Sequence, residues 1–139
     1  MSVEPSRRAC ERMLWFILFL APAAFGATEW WSRAAIESLI FILATMCALR
    51  RNFAAPLNGP LIGFGVIIAL GGLQLLHAHP VAAPTALLPF TVGRPQTLYA
   101  LLLWAALAAL FWAASGIFLW EGALRRAAWV IFGIGLFIA

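Results

Sequence analysis

Five long apolar stretches, separated by short polar punctuation, organise this chain. They run from Met13 to Ala27, from Ala34 to Leu49, from about Leu57 to Leu76, from Leu98 to Trp120, and from Ala127 to the last residue, Ala139. Apolar runs of this length with almost no charge predict membrane-crossing helices. The expected fold is therefore all-α integral membrane: one transmembrane helical domain over 1–139, with helices near 13–27, 34–49, 57–76, 98–120 and 127–139. The first two runs are short and must borrow their ends. Arg12 can snorkel, Trp30 and Trp31 can sit at headgroup level, and tilt or local thinning absorbs the remainder. The fifth run is still apolar at Ala139. At about 1.5 Å rise per residue it reaches only about 20 Å into a hydrocarbon layer about 30 Å thick, so it reads as a truncated helix of a longer membrane protein.

Composition agrees with a bilayer environment. The chain is 65% hydrophobic with a mean hydropathy of +0.99, and 10% of its residues are charged. Soluble domains carry about 25% charged residues. All nine basic residues are arginines, and the formal charge is +4. They stand singly or in pairs at the ends of the apolar runs, so no basic stripe interleaved with aromatics offers a groove for nucleic acid. Their placement instead orients the helices. Arg7, Arg8 and Arg12 precede the first run, Arg50 and Arg51 follow the second, and Arg125 and Arg126 follow the fourth, whereas only Arg33 and Arg94 fall in the alternate loops. The positive-inside rule then places the N-terminus in the cytoplasm. A competing reading makes the N-terminus a secretory signal, with an apolar core from Met13 to Phe25 and small residues at Ala24 and Gly26. Its removal would leave the orientation of the other helices unchanged.

Few residues bear chemistry. Glu37 stands four residues after Arg33, so in a helix the two share a face and predict an interfacial ion pair; a proton-relay or substrate role for Glu37 is the alternative. Gln74, near the end of the third run, is expected to hydrogen-bond a neighbouring helix. The outer loop 77–96 carries His77, His79, Pro80, Pro84, Pro89, Arg94 and Pro95 around the apolar Ala86, Leu87, Leu88 and Phe90. Its prolines break any regular helix, and its apolar middle should lie along the outer membrane surface. Two histidines two apart, with no third ligand nearby, make a weak metal site and read as solvated loop residues. Arg94 is a candidate contact for a lipid phosphate, set against a plain interfacial arginine. Cys10 and Cys47 read as free thiols. Ala105, Ala109 and Ala113, with Gly116, and Gly59, Gly63, Gly71 and Gly72 mark faces where helices approach closely. Trp104, Phe111, Trp112 and Trp120 are expected as lipid-facing or interfacial bulk. No catalytic residue, phosphate-binding glycine loop or cofactor site is evident.

Several local motifs resemble the opening of the O-antigen ligase and polymerase superfamily. The stretch Ala21-Pro22-Ala23-Ala24-Phe25-Gly26-Ala27-Thr28-Glu29-Trp30-Trp31, followed by Ile36-Glu37-Ser38-Leu39, is similar to that family's N-terminal hairpin. Leu73-Gln74-Leu75-Leu76-His77-Ala78-His79-Pro80 resembles a helix end seen there, although the family commonly has proline where His77 stands. Pro95-Gln96-Thr97-Leu98 resembles the start of its fourth helix, and Leu124-Arg125-Arg126 the basic turn before its fifth. The resemblance implies a multi-pass protein of the bacterial inner membrane. Members are metal-independent glycosyltransferases that move a glycan from an undecaprenyl-diphosphate carrier, in the assembly of lipopolysaccharide O-antigen and related surface polysaccharides. Their reactive groups lie on a large outer loop and later helices, so no catalytic residue carries over to this chain. By itself it is expected to be inactive, one wall of helices beside the carrier site.

The partners expected are membrane lipids, an undecaprenyl-diphosphate-linked glycan, and a second chain that completes the bundle. Two other classes stay open. One is a small membrane scaffold or assembly subunit of a larger complex; the other is a transporter fragment, for which Glu37 and Gln74 supply few polar groups and no inverted repeat is evident.

Overall fold

The computed structural model describes residues 5–23, 29–50, 53–76 and 93–138. Among them the chain is helical, with no strand: α1 (Pro5–Ala23), α2 (Trp30–Ala48), α3 (Gly59–Leu76), α4 (Arg94–Phe118) and α5 (Ala123–Ile138). Three of these are long and apolar enough to cross a membrane, namely α2, α3 and α4. This is a membrane protein on that ground, though with fewer qualifying helices than the five expected from the apolar runs. In α1 the residues Arg7, Arg8, Glu11 and Arg12 occupy the first half. Only Met13 to Ala23 remains apolar, about 16 Å of helix. α5 is 16 residues long and contains Arg125 and Arg126.

Except for α3, the helices start earlier than their apolar runs. α1 begins two turns ahead of Met13, and α2 and α4 each about one turn ahead of the expected boundary. Hydropathy marks where a helix enters hydrocarbon, whereas backbone hydrogen bonding continues through the charged flank. α1 ends one residue after Pro22. α3 opens on Asn58, whose carbonyl accepts from the amides of Leu61 and Ile62, with Pro60 in the first turn, where its missing N–H costs nothing. α4 opens on Gly93, whose carbonyl accepts from both the amide (3.1 Å) and the hydroxyl (3.2 Å) of Thr97. Gly122, at φ +72°, makes the left-handed turn that separates α4 from α5, a conformation that costs glycine alone no Cβ clash.

The chain divides into two compact units, residues 1–56 with 109–139, and residues 57–108. In the first unit the core follows the helical period. Cys10, Leu14 and Ile17 of α1, Ser32, Ile36, Ile40, Leu43 and Cys47 of α2, Ala113 and Ile117 of α4, and Ala123 and Ala127 of α5 are all buried, at spacings of three and four. α1 packs against α2 and α5. α1 and α2 run antiparallel: buried Cys10, near the start of one helix, lies beside buried Cys47, near the end of the other. Where hydrocarbon surrounds the protein, apolarity alone does not draw helices together, so close packing must hold them. Gly116 shows how: a Cβ there would collide with the Phe53 ring. Phe53 is brought to that place by a turn in which its amide donates to the Arg50 carbonyl at 3.1 Å.

In the second unit α3 and the first half of α4 form an antiparallel pair. Phe64 meets Trp104 at 6.0 Å between ring centroids, Gly71 meets Leu101, and Leu75 meets Arg94. No residue of α3 is buried. Gly59, Gly63 and Gly72, expected as packing faces, have no side-chain neighbour where a Cβ would stand, so of that set only Gly71 packs.

Candidate functional site

Polar side chains concentrate in each of the two units. In the first, the arginines that the sequence scatters over three flanks converge on one end of the unit. Trp120, just past the end of α4, has the Arg7 guanidinium 4.7 Å from its ring centroid and the Arg50 guanidinium at 5.2 Å. Both lie within the range where an aromatic face attracts a cation. Phe53 packs edge-on against Trp120 and against Trp112, with centroids 6.4 and 4.9 Å away. Trp112 and Trp120, expected as lipid-facing or interfacial bulk, are partly buried, with Phe53 packed between them and Gly116.

Beside this cluster, Arg8, Glu11, Arg12 and Trp15 of α1 and Arg126 of α5 line a cavity of about 410 Å³. Glu11 is grasped in a two-pronged ion pair by Arg126, Nε to Oε1 and Nη2 to Oε2, the latter at 3.1 Å. Arg126 also donates from Nη2 to the carbonyl of Glu121 at 3.3 Å. Its donors are therefore largely engaged, whereas Arg8 and Arg12 are exposed and ion-paired to no described carboxylate. The pattern of apolar runs does not single out this pair. Its signal was Glu11 itself, a carboxylate set among Arg7, Arg8 and Arg12.

At the opposite end of α2, Arg33 Nε donates to Glu37 Oε1 at 2.8 Å, and the glutamate side chain is 16% exposed. Arg33 stands in the first turn of α2, a helix of 19 residues or about 28 Å, and Arg50 just past its end.

In the second unit a cleft of about 400 Å³ lies between α3 and the start of α4. Gln74, Gln96 and Thr97 stand at the end where α3 finishes and α4 begins; Ile67, Leu70, Leu101 and Trp104 line it one to two turns deeper. Gln74 thus faces a cleft shared with α4. Arg94, exposed and not itself a lining residue, stands at the start of α4, where its Nη2 reaches the Leu75 carbonyl at 3.4 Å. His77, His79 and the rest of the loop up to residue 92 lie outside the described residues. Among the described residues no group of three or more His, Cys, Asp or Glu side chains could hold a metal ion, and Cys10 and Cys47 are free thiols.

No family model, no curated protein and no solved structure matches this chain, so its resemblance to the O-antigen ligase and polymerase superfamily rests on the local sequence motifs alone.

Proposed function

We propose that this chain is a multi-pass protein of the bacterial inner membrane whose α3–α4 cleft lies against a phosphorylated polyprenyl carrier, and that it serves surface-polysaccharide assembly as part of a helical wall rather than as the catalyst. The observation that carries the lipid part is the polarity gradient of the cleft. Amide and hydroxyl groups of Gln74, Gln96 and Thr97 stand at the helix ends beside Arg94, and Leu101, Ile67 and Trp104 lie deeper. A carrier lipid has the same order, a diphosphate at the interface followed by a hydrocarbon chain. Guanidinium suits phosphate oxygens, and the N-terminus of α4 adds partial positive charge at the same level. The motifs quoted above support the glycan part.

In this reading α1 and α5 cross the membrane as well. Their charged starts remain at the cytoplasmic interface, and the α1 N-terminus shares its side with the end of α2. The test is deletion of the gene in its source, followed by electrophoresis of surface polysaccharide and analysis of lipid-linked glycans. Loss of polymer with accumulation of carrier-linked glycan is expected, and restoration by wild type but not by Arg94→Glu. Unchanged polysaccharide and unchanged carrier-linked pools would refute the proposal.

A scaffold role is the second reading, favoured by α3, which buries none of its residues and presents Gly59 and Gly63 with no neighbour. A stoichiometric partner lost on Gly63→Leu, with glycan pools unaffected, would decide for it.

A further inference from the structure

The cavity between α1 and α5 is lined by three guanidinium groups and one carboxylate, an excess of two positive charges in about 410 Å³. Glu11 is engaged through both carboxylate oxygens by Arg126, a pairing that also holds this arginine in place, and neither Arg8 nor Arg12 is paired with a described carboxylate. We propose that Arg8 and Arg12 bind the headgroup phosphate of an anionic phospholipid at this end of the bundle.

The stripe on which they stand argues for a lipid rather than a soluble anion. Arg8, Arg12, Trp15 and Phe19 recur at spacings of four, three and four, and so share one face of α1. Along that face the chemistry passes from two cations, through an indole, to a phenyl ring that is 41% exposed. That is the order of a phospholipid: phosphate, glycerol esters, acyl chain. On the α5 side, the same axial progression leads from Arg126 to Gly133, where a Cβ would meet nothing within 4 Å, leaving room for a chain. The Glu11–Arg126 pair fixes the two helix flanks at one level, immediately before the apolar runs that begin at Met13 and Ala127. Basic pockets between helices at the cytoplasmic side are where anionic headgroups are held. The site shares no residue with the α3–α4 cleft and does not depend on the glycan reading.

The test is native mass spectrometry of the full chain released from vesicles of phosphatidylcholine and phosphatidylglycerol with identical acyl chains. The wild type is expected to retain phosphatidylglycerol preferentially, and Arg8→Gln/Arg12→Gln to lose about tenfold of that preference. Arg125→Gln removes the same type of charge outside the cavity lining and is expected to change nothing. Arg8→Lys/Arg12→Lys keeps the charge and is expected to keep most of the preference, with circular dichroism confirming helix content in each variant. Equal retention of both lipids by the wild type would overturn the proposal. So would an unaltered preference in the glutamine variant, an equal loss in Arg125→Gln, or no preference in a folded lysine variant. Displacement of the lipid by inorganic phosphate would reassign the site to a soluble anion.

Discussion

Nη2 of Arg126 lies 3.1 Å from Oε2 of Glu11, tying residues 115 positions apart at matching places in two helices, each just before an apolar run. The contact sets the starts of α1 and α5 at one level. Through Arg7 and Arg50 on Trp120, the end of α2 and the end of α4 come to the same end of the unit. Positive charge is thereby gathered at one end of the helices, as the positive-inside rule requires of neighbouring flanks that share a membrane face.

The Glu11–Arg126 pair should contribute about 1 kcal/mol to stability, since Glu11 is 13% exposed but Arg126 is 49% exposed and partly screened by solvent. A double-mutant cycle of Glu11→Gln and Arg126→Gln, followed by thermal unfolding in detergent, measures it. The two losses should be less than additive in the double variant. Full additivity would mean that the side chains do not interact.

Two glycines should respond to alanine with opposite signs. At Gly116 the added Cβ meets the Phe53 ring, and overpacking costs about 1–3 kcal/mol, which outweighs the gain of about 1 kcal/mol from helix propensity. At Gly133 nothing stands within 4 Å, so only the gain remains. Gly116→Ala is therefore expected to lower the unfolding temperature and Gly133→Ala to hold or raise it. Equal responses would contradict the packing of Phe53 on α4.

Cys10 and Cys47 are buried against each other between α1 and α2. Neither should react with a polar maleimide in the native protein, and both should react after denaturation. Rapid labelling of Cys10 in the folded chain would show that α1 is not docked on α2 at its arginine-bearing end.

Much of the architecture was legible in the sequence because hydrophobic length is a strong signal. Each apolar run became a helix, and Arg33 and Glu37, four apart, lie 2.8 Å from each other on α2. What escaped depended on contacts distant in sequence. Phe53 follows the second run in what reads as a connector, and nothing local foretells that it packs on Gly116, or that Trp120 carries two guanidiniums. The small-residue rule located Gly71 and Gly116 but also flagged Gly59, Gly63 and Gly72, where a Cβ would meet nothing within 4 Å. A small side chain permits close approach without enforcing it. Gln74, expected to hydrogen-bond a neighbouring helix, lines the α3–α4 cleft. Its other polar residues, Gln96 and Thr97, belong to a helix that begins a turn earlier than hydropathy marked.

The central claim, that the arginine-bearing flanks share the cytoplasmic face, is tested most directly by single-cysteine labelling in intact cells. Ser6→Cys, Glu121→Cys and Glu29→Cys, all at exposed positions, would be introduced separately into a chain with Cys10 and Cys47 replaced by alanine. With a membrane-impermeant maleimide, positions 6 and 121 should label only after the membrane is permeabilised, and position 29 should label in intact cells. Labelling of 6 and 121 from opposite sides, or of 29 from the same side as both, would contradict the account.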